Sequence, residues 1–193
     1  MKLVKTADVI LHNFRPGVMA RLGLDYDTVA KINPRVIYLN LYPYGETGPR
    51  RNWAGGDAWI QGFAGVVATQ GTRSGGPYLT GPAISDMSGG LTGTIAVLVG
   101  LLARERSGVA QEMTTSLTNA TAFVQAGEID DYVLEGTLHK KMGRGFMSNF
   151  PYGAFKAKDG DIVTFFGAAG SWAPVCKILG LEHLLQDLRY ATQ

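Results

Sequence analysis

The sequence predicts an α/β protein in which short parallel strands alternate with helices, and two observations carry this prediction. Apolar runs of strand length occur at residues 7–12 and 36–41, with a helical segment between them. Turn-forming residues mark the boundaries, with Pro16 after the first run and Pro34 before the second. Parallel strands need a crossover segment between them, usually a helix, so this alternation is typical of a parallel sheet.

The elements of the first third follow from local signals. After the strand at 7–12, residues 18–22 are suited to one or two helical turns. Asp25 is suited to cap a second helix over 26–32, because its side chain can accept from free amides of the first turn. The segment 42–56 is rich in glycine, proline and charge, so we expect a surface loop there.

The rest of the chain shows the same alternation and then a change of pattern. The predicted elements are a helix at 57–67, a loop at 69–82, a helix at 87–106, a strand at 112–117, a helix at 119–134, hairpin strands at 152–157 and 161–166, and a helix at 172–179. A basic connector at 139–149 separates the hairpin from what precedes it. We therefore place one domain at 1–140 and a linker with the start of a second at 141–193.

Composition narrows the functional classes. The hydrophobic fraction of 46% and charged fraction of 18% indicate a globular protein, and a net charge of +2 argues against a nucleic-acid partner. The single cysteine, Cys176, excludes an internal disulfide framework and fits a cytoplasmic location. His12, His139 and His183 lack partners at metal-ligand spacing, so we expect no metal.

One stretch has the composition of a membrane segment. No charged residue lies between positions 87 and 103. This run is shorter than the roughly 20 apolar residues of a spanning helix, and several glycines interrupt it. We therefore expect a buried helix and no membrane contact.

Asp86 is the strongest candidate for chemistry. A loop delivers it to the start of a long apolar helix, where unpaired N–H groups should keep a carboxylate ionised, as a nucleophile requires. The small residues Ser88, Gly89 and Gly90 behind it would admit a substrate. The alternative is that Asp86, or Ser85, serves only as a helix cap.

A second cluster consists of Asn13, Phe14, Arg15 and Arg21. It follows the end of a predicted strand, the place where α/β sheets bind ligands. The two arginines are suited to phosphates or carboxylates, and the phenylalanine ring can stack on adenine. The alternative is a polar turn with solvated arginines.

Three stretches together resemble the class III CoA-transferases, a group that includes formyl-CoA and carnitine CoA-transferases and the α-methylacyl-CoA racemases. They are ADVILHNFRPGVMARLGLDYDTVAKINPRVIYLNLYPYGETGP, GPAISDMSGGLTGTIAVLVGLLARERSGVAQEMTTSLTNA and PYGAFKAKDGDIVTFFGAAGSWAPVCKILGL. The resemblance implies a partial Rossmann-like large domain and the start of a small α+β domain. Family members are interlocked homodimers and are longer than this chain, so we expect a fragment.

The resemblance also implies a mechanism. The family's nucleophilic aspartate matches Asp86, which would attack an acyl-CoA thioester and form a mixed anhydride. CoA would then form a thioester with the enzyme and pass to an acceptor carboxylic acid. The family's CoA-contacting residues match Asn13, Phe14, Arg15 and Arg21. CoA is thus the expected cosubstrate.

Some positions depart from the family pattern. Gly56 stands where the racemases carry a histidine, which counts against racemisation, and Ala54 stands near a CoA-binding lysine of some transferases. Gly143 and Gly145 fall near the family's glycine loop, a weak match. We interpret Asp57 as a cap of the helix that follows it. The alternatives to CoA transfer are an acyl-CoA racemase and a noncatalytic CoA-binding or dimerisation fragment.

Overall fold

A parallel sheet organises the larger part of the molecule. The computed structural model describes residues 1–72, 74–141, 143, 152–164 and 172–190. Its three parallel strands lie in the order β1, β2, β3, and they are Val9–His12, Ile37–Tyr42 and Gln111–Ser116. The chain divides into two compact units, residues 1–141 and 142–193. The α/β class predicted from the sequence is confirmed.

Seven α-helices accompany this sheet in the described part of residues 1–141. They are α1 (Val18–Arg21), α2 (Tyr26–Ile32), α3 (Asp57–Ala64), α4 (Val66–Thr69), α5 (Ile84–Ser107), α6 (Leu117–Phe123) and α7 (Ala126–Glu135). The predicted cap of α2 is present, because the side chain of Asp25 accepts a hydrogen bond from the Thr28 N–H at 3.1 Å. The cluster of buried residues beside α2 consists of Val4, Val29, Val36, Tyr38 and Ala110.

Three predicted helix boundaries were wrong, each for a local reason. The helix predicted at 57–67 breaks at Gly65, which adopts a left-handed φ of 93°. The helix predicted at 119–134 is two helices, because the Gln125 side chain between them donates to the carbonyls of Ala64 and Thr121. Helix α5 begins at Ile84, three residues earlier than predicted. Asp86 therefore lies within the first turn of α5.

Helix α5 packs on the sheet through its small residues. A Cβ atom at Gly93 would lie 3.2 Å from Leu39, and one at Gly100 would lie 2.7 Å from Met113. The large apolar side chains point away and are exposed: Met87, Leu91, Ile95, Leu98, Val99 and Leu102. The expected burial therefore holds for one face only, because glycine allows the helix to approach the strands most closely.

Helix α5 is also long and apolar enough to cross a membrane, judged by length and composition among the described residues. Only 22% of its most apolar 18-residue window is buried. Core helices of soluble proteins pass the same test, so this is weak evidence for a membrane span.

The second unit contains the predicted hairpin. Strands β4 (Gly153–Lys156) and β5 (Asp161–Thr164) are antiparallel, with Ala154 opposite Val163. The last two residues of the predicted second strand, 165 and 166, lie outside the described residues. Helix α8 (Trp172–Leu179) follows, as predicted.

Candidate active site

The carboxyl ends of the three parallel strands open into a cleft of about 320 Å³. Three of its lining residues come directly after the strands: Asn13 after β1, Pro43 after β2 and Leu117 after β3. The remaining lining residues are Leu41, Gly55, Gly56, Asp86 and Gly90. Ligands of α/β sheets bind at this edge, so the cleft is the natural candidate site.

Asp86 is the ionisable side chain among the residues that line this cleft. It projects from the first turn of α5 and is exposed. Partial desolvation, and then the negative charge of Asp57, raise the pKa of Asp86 above its usual value. Both effects oppose the lowering of the pKa that a free helix amino terminus would give, because burial disfavours the charged form and a second carboxylate occupies the start of the same helix.

Asp57 does not cap its own helix, contrary to the prediction. It is the first residue of α3, and its Oδ1 accepts hydrogen bonds from the N–H groups of Ser85 and Asp86 at 2.8 and 3.2 Å. Its Oδ2 accepts from Nε2 of Gln61 at 2.6 Å. The carboxylate of Asp57 therefore caps α5 from a neighbouring helix.

Asp25 shows what an ordinary cap does to a carboxylate. Hydrogen bonds from the backbone and side chain of Thr28 lower the pKa of Asp25, because they favour its charged form. The pKa of Asp86 moves in the opposite direction. The alternative that Asp86 serves only as a helix cap is disfavoured, because Asp57 already accepts from the first amides of α5.

The predicted CoA-contacting residues are distributed around the end of β1. Asn13 lines the same cleft as Asp86. Arg15 lines a neighbouring aromatic depression with Trp53, and its Nη1 donates to the Asn52 carbonyl at 3.2 Å. Phe14 and Arg21 are exposed and line neither of these two cavities. The structure thus brings one of the four predicted contacts, Asn13, into the cleft with Asp86.

His12 supports this loop, a role that sequence reasoning missed. It is buried at the end of β1 and packs against the rings of Tyr38 and Tyr42. Its Nδ1 accepts from the Phe14 N–H at 3.3 Å. Burial lowers the pKa of His12, which keeps Nδ1 free to accept that bond. The sequence signal for this supporting role is the position of His12 as the last residue of a predicted buried strand.

The remaining predicted positions are less informative. Gly56 lines the cleft, and Ala54 lines the aromatic depression. Gly143 lies in a turn, whereas Gly145 falls outside the described residues. Within the described ranges, no group of three His, Cys, Asp or Glu residues could hold a metal ion.

The structure is that of an α/β protein with a carboxylate in a cleft at the carboxyl ends of its parallel strands. Comparison with known proteins identifies the family. Residues 1–193 match the model of CoA-transferase family III. The chain belongs to this family.

Two relatives and a solved structure support the same family. The chain is 37% identical over 192 residues to an acyl-CoA transferase of Fusarium pseudograminearum, covering 100% of this chain and 42% of that protein. It is 34% identical to succinyl-CoA:glutarate CoA-transferase of Mus musculus, covering 99% of this chain and 44% of that protein. A CAIB/BAIF family protein from Brucella suis superimposes with a TM-score of 0.82 at 33% identity, covering 100% of this chain and 51% of that one. The chain spans about half the length of these relatives.

Proposed function

We propose that this chain carries the part of a CoA-transfer site that forms the covalent intermediate, with Asp86 as the nucleophile. The observation that carries this proposal is the position of Asp86 in the cleft over the strand ends, which Asn13 also lines. The mouse relative is named as a CoA-transferase and the fungal relative as an acyl-CoA transferase, which supports CoA transfer as the reaction class. The acyl donor would be an acyl-CoA, and the acceptor a carboxylic acid.

The chemistry needs one carboxylate and an open approach to it. A carboxylate oxygen of Asp86 attacks the thioester carbonyl carbon, the carbon–sulfur bond breaks, and CoA leaves as its thiolate. The thiolate then attacks the Asp86 carbonyl of the mixed anhydride, which releases the donor acid and leaves an aspartyl-CoA thioester. The acceptor carboxylate attacks this thioester, and CoA is transferred to it through the corresponding anhydride.

The cleft provides the space that these steps require. Gly56 and Gly90 line the cleft, and a Cβ atom at either position would meet no other atom within 4 Å. Both glycines therefore leave open volume beside the Asp86 carboxylate. Asn13 lines the same cleft and can supply an amide group to a polar part of the substrate.

The racemase alternative fits the cleft less well. Racemisation needs a proton donor and an acceptor on opposite faces of the α-carbon. Asp86 is the one ionisable residue among those that line the cleft in the described part of the chain. Gly56, where a racemase carries its histidine, offers no proton. The cleft therefore favours transfer through a covalent intermediate.

Trapping with hydroxylamine tests the nucleophile. The protein is incubated with a panel of acyl-CoAs, treated with hydroxylamine and digested with trypsin. Cleavage after Arg73 and Arg104 gives a peptide in which Asp86 is the only carboxylate side chain. We expect an aspartyl hydroxamate on this peptide, and none in Asp86→Asn.

The outcomes separate the candidate functions. A hydroxamate that persists in Asp86→Asn would place the nucleophile elsewhere and refute the assignment. No adduct from a folded protein that binds CoA would favour the racemase or the noncatalytic fragment. Proton exchange at the α-carbon of an acyl-CoA in deuterated water then distinguishes these two, because only the racemase catalyses it.

A further inference from the structure

The first turn of α5 is held by a side chain from another helix. Its N-cap residue, Ala83, has no side-chain acceptor, although a helix start leaves its first amides unpaired. The Oδ1 of Asp57 accepts from two of these amides, those of Ser85 and Asp86, at 2.8 and 3.2 Å. The backbone amide of the proposed nucleophile is thus bonded directly to α3.

Gln61 fixes the orientation of this cap. It lies one turn further along α3 and is only 1% exposed. Its Nε2 donates to Oδ2 of Asp57 at 2.6 Å, and its Oε1 accepts from the Thr80 N–H at 2.9 Å. Both oxygens of Asp57 are therefore engaged. The same chain of hydrogen bonds holds the loop that leads into α5.

This arrangement suits a residue that must place a nucleophile. Covalent attack requires the carboxylate oxygen within about 3–3.5 Å of the thioester carbon, and a misplacement of about 1 Å can lower the rate by about 100-fold. The side chain of Asp86 starts from a backbone whose amide is bonded to Asp57. Attack also transfers negative charge from Asp86 to the departing sulfur, which relieves repulsion between the two carboxylates.

We propose that Asp57 is a positioning residue for this reaction, acting through the backbone of Asp86. Gln61, which also accepts from the Thr80 N–H, orients the Asp57 carboxylate. This inference rests on the proposed function of Asp86. The carboxylate of Asp57 need not touch the substrate, because its two oxygens already accept from Ser85, Asp86 and Gln61.

The polarity of the hydrogen bonds supplies a test. Asp57→Asn would bring an NH₂ group against Nε2 of Gln61, and rotating the Gln61 amide would only move the clash to the Thr80 N–H. Gln61→Glu would bring two carboxylates together. In the double variant Asp57→Asn/Gln61→Glu, the asparagine donates to the glutamate and still accepts from α5. The glutamate accepts from Thr80, so every bond is restored and only the bond between positions 57 and 61 reverses its direction.

The experiment compares these three variants with the wild-type protein. The rate of hydroxylamine-trapped adduct at Asp86 is measured beside CoA affinity by calorimetry. We expect each single variant to lower the adduct rate by about 100-fold with unchanged CoA affinity. The double variant should recover at least about tenfold, an ordinary coupling within one network.

A matched control makes the same substitution at another helix cap. Asp25 accepts from the Thr28 N–H at the start of α2 and is not among the residues that line the cleft, so Asp25→Asn should keep the wild-type adduct rate. Single variants at the wild-type rate, or a double variant no faster than the singles, would overturn the positioning role while the nucleophile assignment stands. Absence of an adduct in the wild-type protein would overturn both.

Discussion

The charged residues at the two ends of α5 lie in opposite environments. At the carboxyl end, Arg104 is 8% exposed, and its guanidinium donates to the Arg35 carbonyl and to Asp8, each at 3.0 Å. At the amino end, Asp86 is exposed beside a second carboxylate, which contributes to its raised pKa. The end with hydrogen-bonding partners stabilises the fold, whereas the end with a like charge leaves the proposed nucleophile exposed.

Removing the guanidinium should give the largest loss of stability. Arg104→Ala deletes the bond to the main-chain carbonyl of Arg35 and the bond to Asp8, which is largely exposed and contributes less. We expect the free energy of unfolding to fall by about 2–3 kcal/mol in urea titrations. The exposed neighbour Arg106 provides the control, and a loss as large in Arg106→Ala would contradict the comparison.

A methyl group at Gly89 should cost the next largest amount. Gly89 is buried near the amino end of α5, and an added Cβ would collide with the side chain of Leu117. Overpacking of this kind costs about 1–3 kcal/mol. We expect Gly89→Ala to lower the free energy of unfolding by an amount in the lower part of that range. An unchanged unfolding midpoint would show that Leu117 moves aside freely.

The adjacent position should respond with the opposite sign. An added Cβ at Gly90 would meet no atom within 4 Å, although the residue lines the cleft. Alanine is the better helix former, so Gly90→Ala should raise the free energy of unfolding by about 0.5–1 kcal/mol. The methyl group should also slow adduct formation at Asp86. A faster adduct rate would contradict the proposed approach of the substrate over Gly90.

The smallest expected effect concerns the pH dependence of stability. Because the folded-state pKa of Asp86 is raised above 3.8, the folded state binds this proton more readily than the unfolded state. The associated stability is present at low pH and is lost as pH rises through the folded pKa. Asp86→Asn should therefore unfold at slightly higher urea concentration than wild type at neutral pH. The difference should vanish below pH 3.8, the unfolded-state pKa.

The control for this prediction is Asp25→Asn, because the pKa of Asp25 is lowered. Its carboxylate contributes stability that is present above the unfolded pKa and is lost in acid. The two variants should therefore change stability in opposite directions at neutral pH. If Asp86→Asn were the less stable protein throughout, the like-charge account of the amino end of α5 would be wrong.

Local signals in the sequence predicted the strands, the Asp25 cap and the hairpin, because each depends on neighbouring residues. Local signals also indicated Asp86 and Asn13 as candidates, and the resemblance to a known family implied their roles. The structure brings both residues to one cleft. The role of Asp57 could not be predicted in this way. Its partners lie 28 and 29 residues away, and only the packing of α3 against α5 brings them together.

The same limit applies to α5 as a whole. Hydrophobicity alone predicted that its large apolar residues would be buried, but glycines such as Gly93 form the buried face. The choice of face depends on how closely the helix approaches Leu39 on the sheet, a distance that no local pattern encodes. The break at Gly65 was missed because a left-handed glycine reads like any other glycine in a helical run.

The parallel register has a consequence for how this site can diversify. Asn13, Pro43 and Leu117 each occupy the first position beyond a strand, and the strands before them pair in register from Val9 opposite Ile37 onward. Exchanging these three side chains would reshape the mouth of the cleft while the strand pairing stays intact. Under the proposed function, a different acid would therefore be accommodated through a few substitutions at these positions.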